Sequence, residues 1–239
     1  MLIALFVMAV LYSSVGHGGA SGYLAVMALF SFAPESMRPA ALVMNIFVAG
    51  LVWLRLYRAN FFSWQVYLPL ALAALPMAYI GGSITLSASV YYYVVASALL
   101  LAAWQLFRQP QLEHELVPAR LAVAIPLGLV LGLVAGLTGI GGGVYLSPLL
   151  LMMRWTDMRT NAGVAAAFVL TNSLAGLAGY MTANTVWPDH IVEYVIAAVL
   201  GALIGSELAV RRLTPSRLQS ILALVLVIAA IKMIAMHTG

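Results

Sequence analysis

Apolar positions in this chain come in long unbroken runs, separated by short polar stretches, rather than in alternation. Segments of about ten residues with every second position apolar would point to a membrane β-barrel. Runs of roughly 18 to 21 residues match the length a helix needs to cross about 30 Å of hydrocarbon. Six such segments are predicted, at 40–57, 64–86, 90–107, 162–181, 191–210 and 218–236. Two further apolar stretches are split by glycine. The first parts into arms Met1 to Val15 and Gly19 to Phe32 around the run GHGGA, Gly16 to Ala20. The second, 121–153, is interrupted by TGIGGGVYLSP, Thr138 to Pro148, in which four of the five positions 139–143 are glycine. Glycine loses more conformational freedom on ordering than any other residue and weakens a helix, so a cluster of glycines marks where a helix stops. Each split stretch is therefore predicted to be a re-entrant hairpin, and the two arms of the first are too short to cross comfortably alone.

The order of these elements occurs twice. The most polar stretch, RQPQLEHELVPAR (Arg108 to Arg120), is the predicted linker, cytoplasmic, between a first repeat at 1–107 and a second at 121–239. Across it, Gly16, Gly18 and Gly19 align with Gly139, Gly141 and Gly142, Met37-Arg38 with Met158-Arg159, Ala49-Gly50-Leu51 with Ala175-Gly176-Leu177, Ala59-Asn60 with Ala183-Asn184, and Gly82-Ser83 with Gly205-Ser206. Ordered matches at nearly constant offset favour an internal duplication.

Loop charge sets the orientation of the two copies. In the second, Arg154 and Arg159 lie in the first loop and Arg211, Arg212 and Arg217 in the third; in the first copy, Arg55 and Arg58 lie in the second loop and Arg108 and Arg120 in the linker. By the positive-inside rule the copies are inverted. Arg38, in the first loop of the first copy, is the one dissenter. An all-α polytopic membrane protein follows, built as two inverted-topology repeats, each a glycine-broken hairpin plus three transmembrane helices: six full spans and two hairpins, eight or more segments. Such a design places a transport site near the midplane, between the repeats.

Composition agrees. Of 239 residues, 64% are hydrophobic and 8% charged, against about 25% charged in a soluble domain, which excludes a polar-skinned globule. The net charge of +4 reflects topology rather than nucleic-acid binding. The chain has no cysteine, which removes disulfides and thiolate chemistry, and no metal site or cofactor is expected. The first apolar run lacks a basic flank, so it is read as part of the mature fold.

Half-helix N-termini held in a membrane carry positive partial charge and bare amides, which suit them to an anion. The two glycine clusters are thus candidates for the two sides of one site, whereas Gly128, Gly132 and Gly136, like Gly201 and Gly205, are spaced for tight helix packing. The candidate substrate-binding residues are Ser14, Gly16, His17, Gly18, Gly19, Asn45, Thr138, Gly139, Gly141, Gly142, Gly143 and Asn172. His17, inside the first loop, titrates near neutrality and permits proton coupling or pairing with the anion. Asn45 and Asn172 follow each hairpin at similar places, suited either to a ligand or to the broken backbone. Most membrane Ser and Thr bond their own helix; Ser14 and Thr138, beside the loops, are the expected exceptions. Glu207 is expected to pair with Arg211 and Arg212. Trp53, Tyr57, Trp64, Tyr91 to Tyr93, Trp155 and Trp187 read as interfacial anchors.

GLTGIGGGVYLSPLL in the second copy and VGHGGASGYLAVMAL in the first resemble the sulfite exporter TauE/SafE family of bacterial permeases, over essentially the whole chain. The second copy keeps the GxGGGxxxxPxL pattern as Gly139 to Leu150; the first departs from it, with Ala20 for the third glycine and Ala25 for the proline. The resemblance implies a secondary transporter of sulfite, sulfonates or related organosulfur anions in the bacterial inner membrane, working by alternating access. Substrate and lipid are then the partners, and assembly into a homo-oligomer is open. Two rivals stand beside it. GASG at Gly19 to Gly22 resembles the nucleophile motif of rhomboid intramembrane proteases, and an anion channel would use inverted repeats equally well. A protease leaves the repeat unexplained, and Ser21 needs a base within reach.

Overall fold

The computed structural model describes residues 1–14, 19–107, 115–183, 187–211 and 216–235, all of whose regular structure is helical. The helices are α1 (Leu2–Ser14), α2 (Ala20–Leu29), α3 (Pro34–Arg58), α4 (Trp64–Ser83), α5 (Ala88–Phe107), α6 (Leu121–Thr138), α7 (Gly143–Met152), α8 (Met158–Ala183), α9 (Ile191–Arg211) and α10 (Ser216–Ala235). Among the described residues, α3, α4, α6, α8 and the 191–208 part of α9 are long and apolar enough to cross a membrane. The protein is a multi-pass membrane protein.

All six predicted spans are helices, with two starting earlier than the hydropathy suggests. Helix α3 takes in the loop-like PESMRP because Pro34 occupies its first turn, where a missing amide costs nothing. Pro39, one turn on, removes the amide that would have bonded the Glu35 carbonyl, and the Tyr180 hydroxyl donates to that carbonyl instead, at 3.0 Å. Helix α8 starts at Met158 because Asp157 gathers its first amides: one carboxylate oxygen accepts from the amides of Arg159 and Thr160 at 2.9 and 3.0 Å, the other from the Thr160 hydroxyl at 2.8 Å. The hairpins are also unequal. Arms α1 and α2 have 13 and 10 residues, but α6 has 18 and α7 only 10, so the first hairpin has two short arms whereas α6 has the length of a full span.

Packing runs mainly between the two halves of the chain. The most extensive contacts are α4 with α6, α1 with α9, α4 with α8, α3 with α8 and α9, and α5 with α10. Exchanging α1 with α6, α2 with α7, α3 with α8, α4 with α9 and α5 with α10 turns this set into itself. Small residues allow the close approach: a methyl on Gly128, Gly132 or Gly136 would strike the carbonyls of Leu70, Ala74 or Ala78 across the α4–α6 seam, and one on Gly201 or Gly205 those of Phe6 or Val10 across α1–α9. These five glycines serve the packing role read from their spacing.

Arg38 is not a loop charge. It sits in α3, 4% exposed, where its Nε donates to the Gly136 carbonyl at 2.9 Å, Nη1 to Ile84 at 2.9 Å, and Nη2 to Gly81, Gly82 and Gly136 at 2.5, 2.7 and 2.6 Å. Helix α4 ends at Ser83 and α6 at Thr138, so these are terminal carbonyls without intrahelical partners. The guanidinium caps two helix C-termini at once, and their negative dipole ends stand in for a counter-ion. Its burial removes Arg38 from the loop-charge count and explains why it dissented.

Other expectations shift for similar reasons. Tyr91, Tyr92 and Trp155 are buried rather than interfacial, with the Tyr91 and Tyr92 hydroxyls donating to the carbonyls of Thr138 and Phe32; Tyr57, Trp64, Tyr93 and Trp187 are exposed. Glu207 pairs with Arg55 at 3.5 Å, joining the end of α3 to α9. The side chains of Arg211 and Arg212 lie outside the described ones.

Candidate functional site at two half-helix N-termini

The second glycine run forms a tight turn from α6 into α7. Gly139, Gly141 and Gly142 have φ of 81°, 78° and 82°, the left-handed region in which a Cβ is strained. The whole turn from Thr138 to Gly143 is buried. Its carbonyls are taken: Thr138 by the Tyr91 hydroxyl at 3.1 Å, Gly139 by the Asn45 amide at a long 3.5 Å, Gly141 by the Asn172 amide at 3.5 Å, and Gly142 by the amides of Tyr145 and Leu146. On the donor side, the Gly139 amide bonds Ala135 and the Ile140 amide the Thr138 hydroxyl. The amides of Gly141, Gly142, Gly143 and Val144 have no partner among the described residues. A buried turn with occupied carbonyls and bare amides is a donor surface, and it lies at the positive end of the α7 dipole. The backbone and stem of Arg38 pack against it, the carbonyl oxygen and Cγ 3.1 and 3.3 Å from where a Cβ on Gly139 would sit, while the guanidinium is bound at Gly136, before the turn.

The first hairpin repeats the device. Gly19 caps α2 with φ 93° and without a side-chain bond; the amides of Ala20, Ser21 and Gly22 have no partner among the described residues, while that of Tyr23 closes the first helical turn onto Gly19. Gly16, His17 and Gly18 lie outside the described residues.

The flanking polar residues divide by what their hydrogens do. Ser14 and Thr138, the expected exceptions, each donate to their own helix, to Leu11 and Val134 at 2.7 Å, which leaves their oxygens as acceptors. Asn45 and Asn172 are fully buried. Asn45, from the first half, reaches the turn of the second and also donates to the Ser173 hydroxyl at 3.2 Å, so both asparagines serve the second turn rather than one turn each. The Oδ1 atoms of both have no partner among the described residues.

Tyr12 and Tyr23 escape the sequence reading, and Tyr145 enters it only as one hydroxyl among several. Tyr12, in the last turn of α1, accepts from the Ser21 hydroxyl at 2.9 Å, which ties the end of α1 to the first turn of α2. For Tyr23 and Tyr145, a place in the first turn after each glycine cap was the available signal. Arg38 was missed because a cation near a predicted loop reads as surface charge. The Ser21 bond to Tyr12 also bears on the protease reading, since no described histidine approaches Ser21: His190 is exposed and contacts Glu193.

Comparison with known proteins adds the lineage. A family model described as sulfite exporter TauE/SafE matches residues 1–233. A "probable membrane transporter protein" of Sinorhizobium fredii is 34% identical over 98% of this chain and 97% of its own. Proteins of the same description from Methanocaldococcus jannaschii and Bacillus subtilis are 25% and 21% identical, covering 69% and 87% of this chain and 66% and 88% of their own. No solved structure matches. These relatives are named as transporters, not enzymes, and neither of them nor the bonding of Ser21 favours the protease. The chain, matched from end to end by the family model and by a full-length relative, belongs to the sulfite exporter TauE/SafE family.

Proposed function

We propose that this membrane transporter moves small oxyanions, sulfite, sulfonates or related organosulfur compounds, across the bacterial cytoplasmic membrane by alternating access. One observation carries the reading: α2 and α7 both begin inside the bundle on left-handed glycine caps, with first-turn amides that have no partner among the described residues. Buried bare amides at a helix N-terminus suit an anion and nothing positive. The substrate is held by the amides around Gly16, Gly18 and Gly19 on one side and Gly139, Gly141, Gly142 and Gly143 on the other, with Ser14, His17, Asn45, Thr138 and Asn172 at its edge. The family's description names sulfite as cargo for the family, and chemistry of this kind fits it.

The two halves, 1–107 and 121–239, are inverted copies in this proposal, joined by a cytoplasmic linker at 108–120. The self-consistent exchange of helix contacts supports a pseudo-twofold axis, and rocking of one copy on the other supplies alternating access. His17 couples the cycle to protons. The test is a panel of labelled anions in proteoliposomes, read for uptake and counterflow. Saturable counterflow of an oxyanion is the expected result. Conductance beyond carrier rates indicates a channel, and bound sulfite located away from both glycine turns overturns the site. His17→Gln with an unchanged pH dependence removes the proton role alone.

A further inference from the structure

Each half-helix carries a tyrosine in its first turn. Tyr23 is the fourth residue after the Gly19 cap and Tyr145 the third after the Gly142 cap. Helical side chains lean toward the N-terminus, so a long residue at these positions hangs over the mouth of its own helix. Tyr23 does this visibly: its phenol oxygen lies 2.7 Å from the point where a Cβ on Gly19 would sit. Gly19 is therefore required twice, by its backbone angle and by the ring above it.

Both rings are enclosed, Tyr23 at 0% exposure and Tyr145 at 3%, and neither hydroxyl has a hydrogen-bond partner among the described residues. Buried phenols normally find one, and an unpaired buried hydroxyl costs about 1–3 kcal/mol. Phenylalanine would fill the same volume without that cost, so packing does not account for the hydroxyls. Tyr12 differs: its oxygen already accepts from Ser21.

We infer that Tyr23 and Tyr145, one from each half, donate their phenolic hydrogens to oxygens of the anion held at the two half-helix N-termini, and that this pair selects a polyoxygen anion over a monatomic halide. The inference rests on the transport site proposed above. A halide presents one centre to all donors. An oxyanion presents several diverging oxygens, so amides from two helices and a hydroxyl above each can be filled together, and loss of one phenol leaves one oxygen unpaired.

The test uses the full chain in proteoliposomes with labelled sulfite as the probe, chloride as competitor, and the thermal midpoint of the substrate-free protein in detergent as a parallel readout. Tyr23→Phe and Tyr145→Phe are each expected to raise the KM for sulfite about tenfold, as for a lost hydrogen bond to a charged group. Chloride should compete better in the variants, and the midpoint should be unchanged or higher, because no bond in the empty protein is lost. Sulfite transport by wild type with KM within twofold in both variants overturns the phenol role and leaves the site standing. A raised KM with a midpoint lowered by several degrees assigns the hydroxyls to structure and also overturns it. Wild-type vesicles that carry sulfite no faster than empty ones remove the transport reading and this inference together.

Discussion

Replacing Arg38 by methionine isolates what a single buried cation contributes to this bundle. The change keeps much of the stem's volume and removes donors to four carbonyls, those of Gly81, Gly82, Ile84 and Gly136. Hydrogen bonds within membranes average about 0.6 kcal/mol by double-mutant cycles, and bonds from a charged donor reach about 1.5 kcal/mol or more. Four receptors at these limits give a loss between about 2 and 6 kcal/mol. The upper part of the range is favoured because Gly136, Gly81 and Gly82 are helix-terminal carbonyls left buried without another donor. Arg38→Lys is a sharper probe, since one ammonium carries three donors and cannot span the ends of α4 and α6 as the fork does; it should recover less than half of the loss. Reversible unfolding in mixed detergent measures both. An Arg38→Met loss below about 1 kcal/mol, or full recovery by lysine, would refute the account of Arg38 as a double helix cap.

Further expectations follow from the same geometry. Gly136→Ala puts a methyl against the Ala78 carbonyl and should cost about 1–3 kcal/mol, whereas Gly50→Ala, with its nearest neighbour at 3.7 Å, should be neutral or stabilising by about 0.5–1 kcal/mol; thermal midpoints compare them. Gly141→Ala, at φ 78° and with Val169 Cγ1 2.8 Å from the added methyl, should abolish sulfite uptake while protein still reaches the membrane, checked by flux against the amount inserted. Asp157→Ala should cost about 0.5–1 kcal/mol, at the low end because the cap is exposed. Partial burial pushes the Asp157 carboxyl up, but the bonds from Thr160 and Arg159 outweigh it and hold it below its ordinary 3.8. Its folded value being depressed, the contribution is complete above that ordinary value and disappears as pH falls through the lowered one. The variant should therefore match wild type only in strong acid, which unfolding at pH 7 and below 3 checks.

The sequence could be read for helices and for glycine turns because both depend on local composition. Continuous apolar runs specify α3 through α5 and α8 through α10, and four glycines in five residues specify the break before α7. The start of α3 was less legible, because a proline-rich polar stretch reads as loop until Pro34 is known to sit where no amide is needed and Tyr180, far along the chain, serves the carbonyl freed by Pro39. Arg38 illustrates the wider limit. Its position relative to the helix ends of α4 and α6 is set by three helices meeting, which no window of neighbouring residues encodes. The asparagines show it again: Asn45 and Asn172 were legible as polar residues near the breaks, but their convergence on one turn depends on α3 lying against α8. Tyr23 was not legible as a site residue, because only the folded helix brings its ring over the Gly19 cap.

The interleaved packing has a consequence for how the molecule is made. Helices α1, α3, α4 and α5 find their largest contacts on α9, α8, α6 and α10, elements synthesised later. The first five helices thus enter the bilayer before α6 and α9 bring the glycines that let them pack closely; the Arg38 donors stay short of the Gly136 carbonyl until α6 has been threaded, and the last seam stays open until α10 has. The nascent chain must wait rather than fold as it emerges. Cutting the gene at the linker and expressing the pieces apart should yield two unstable fragments that are rescued only by each other's presence in the same membrane.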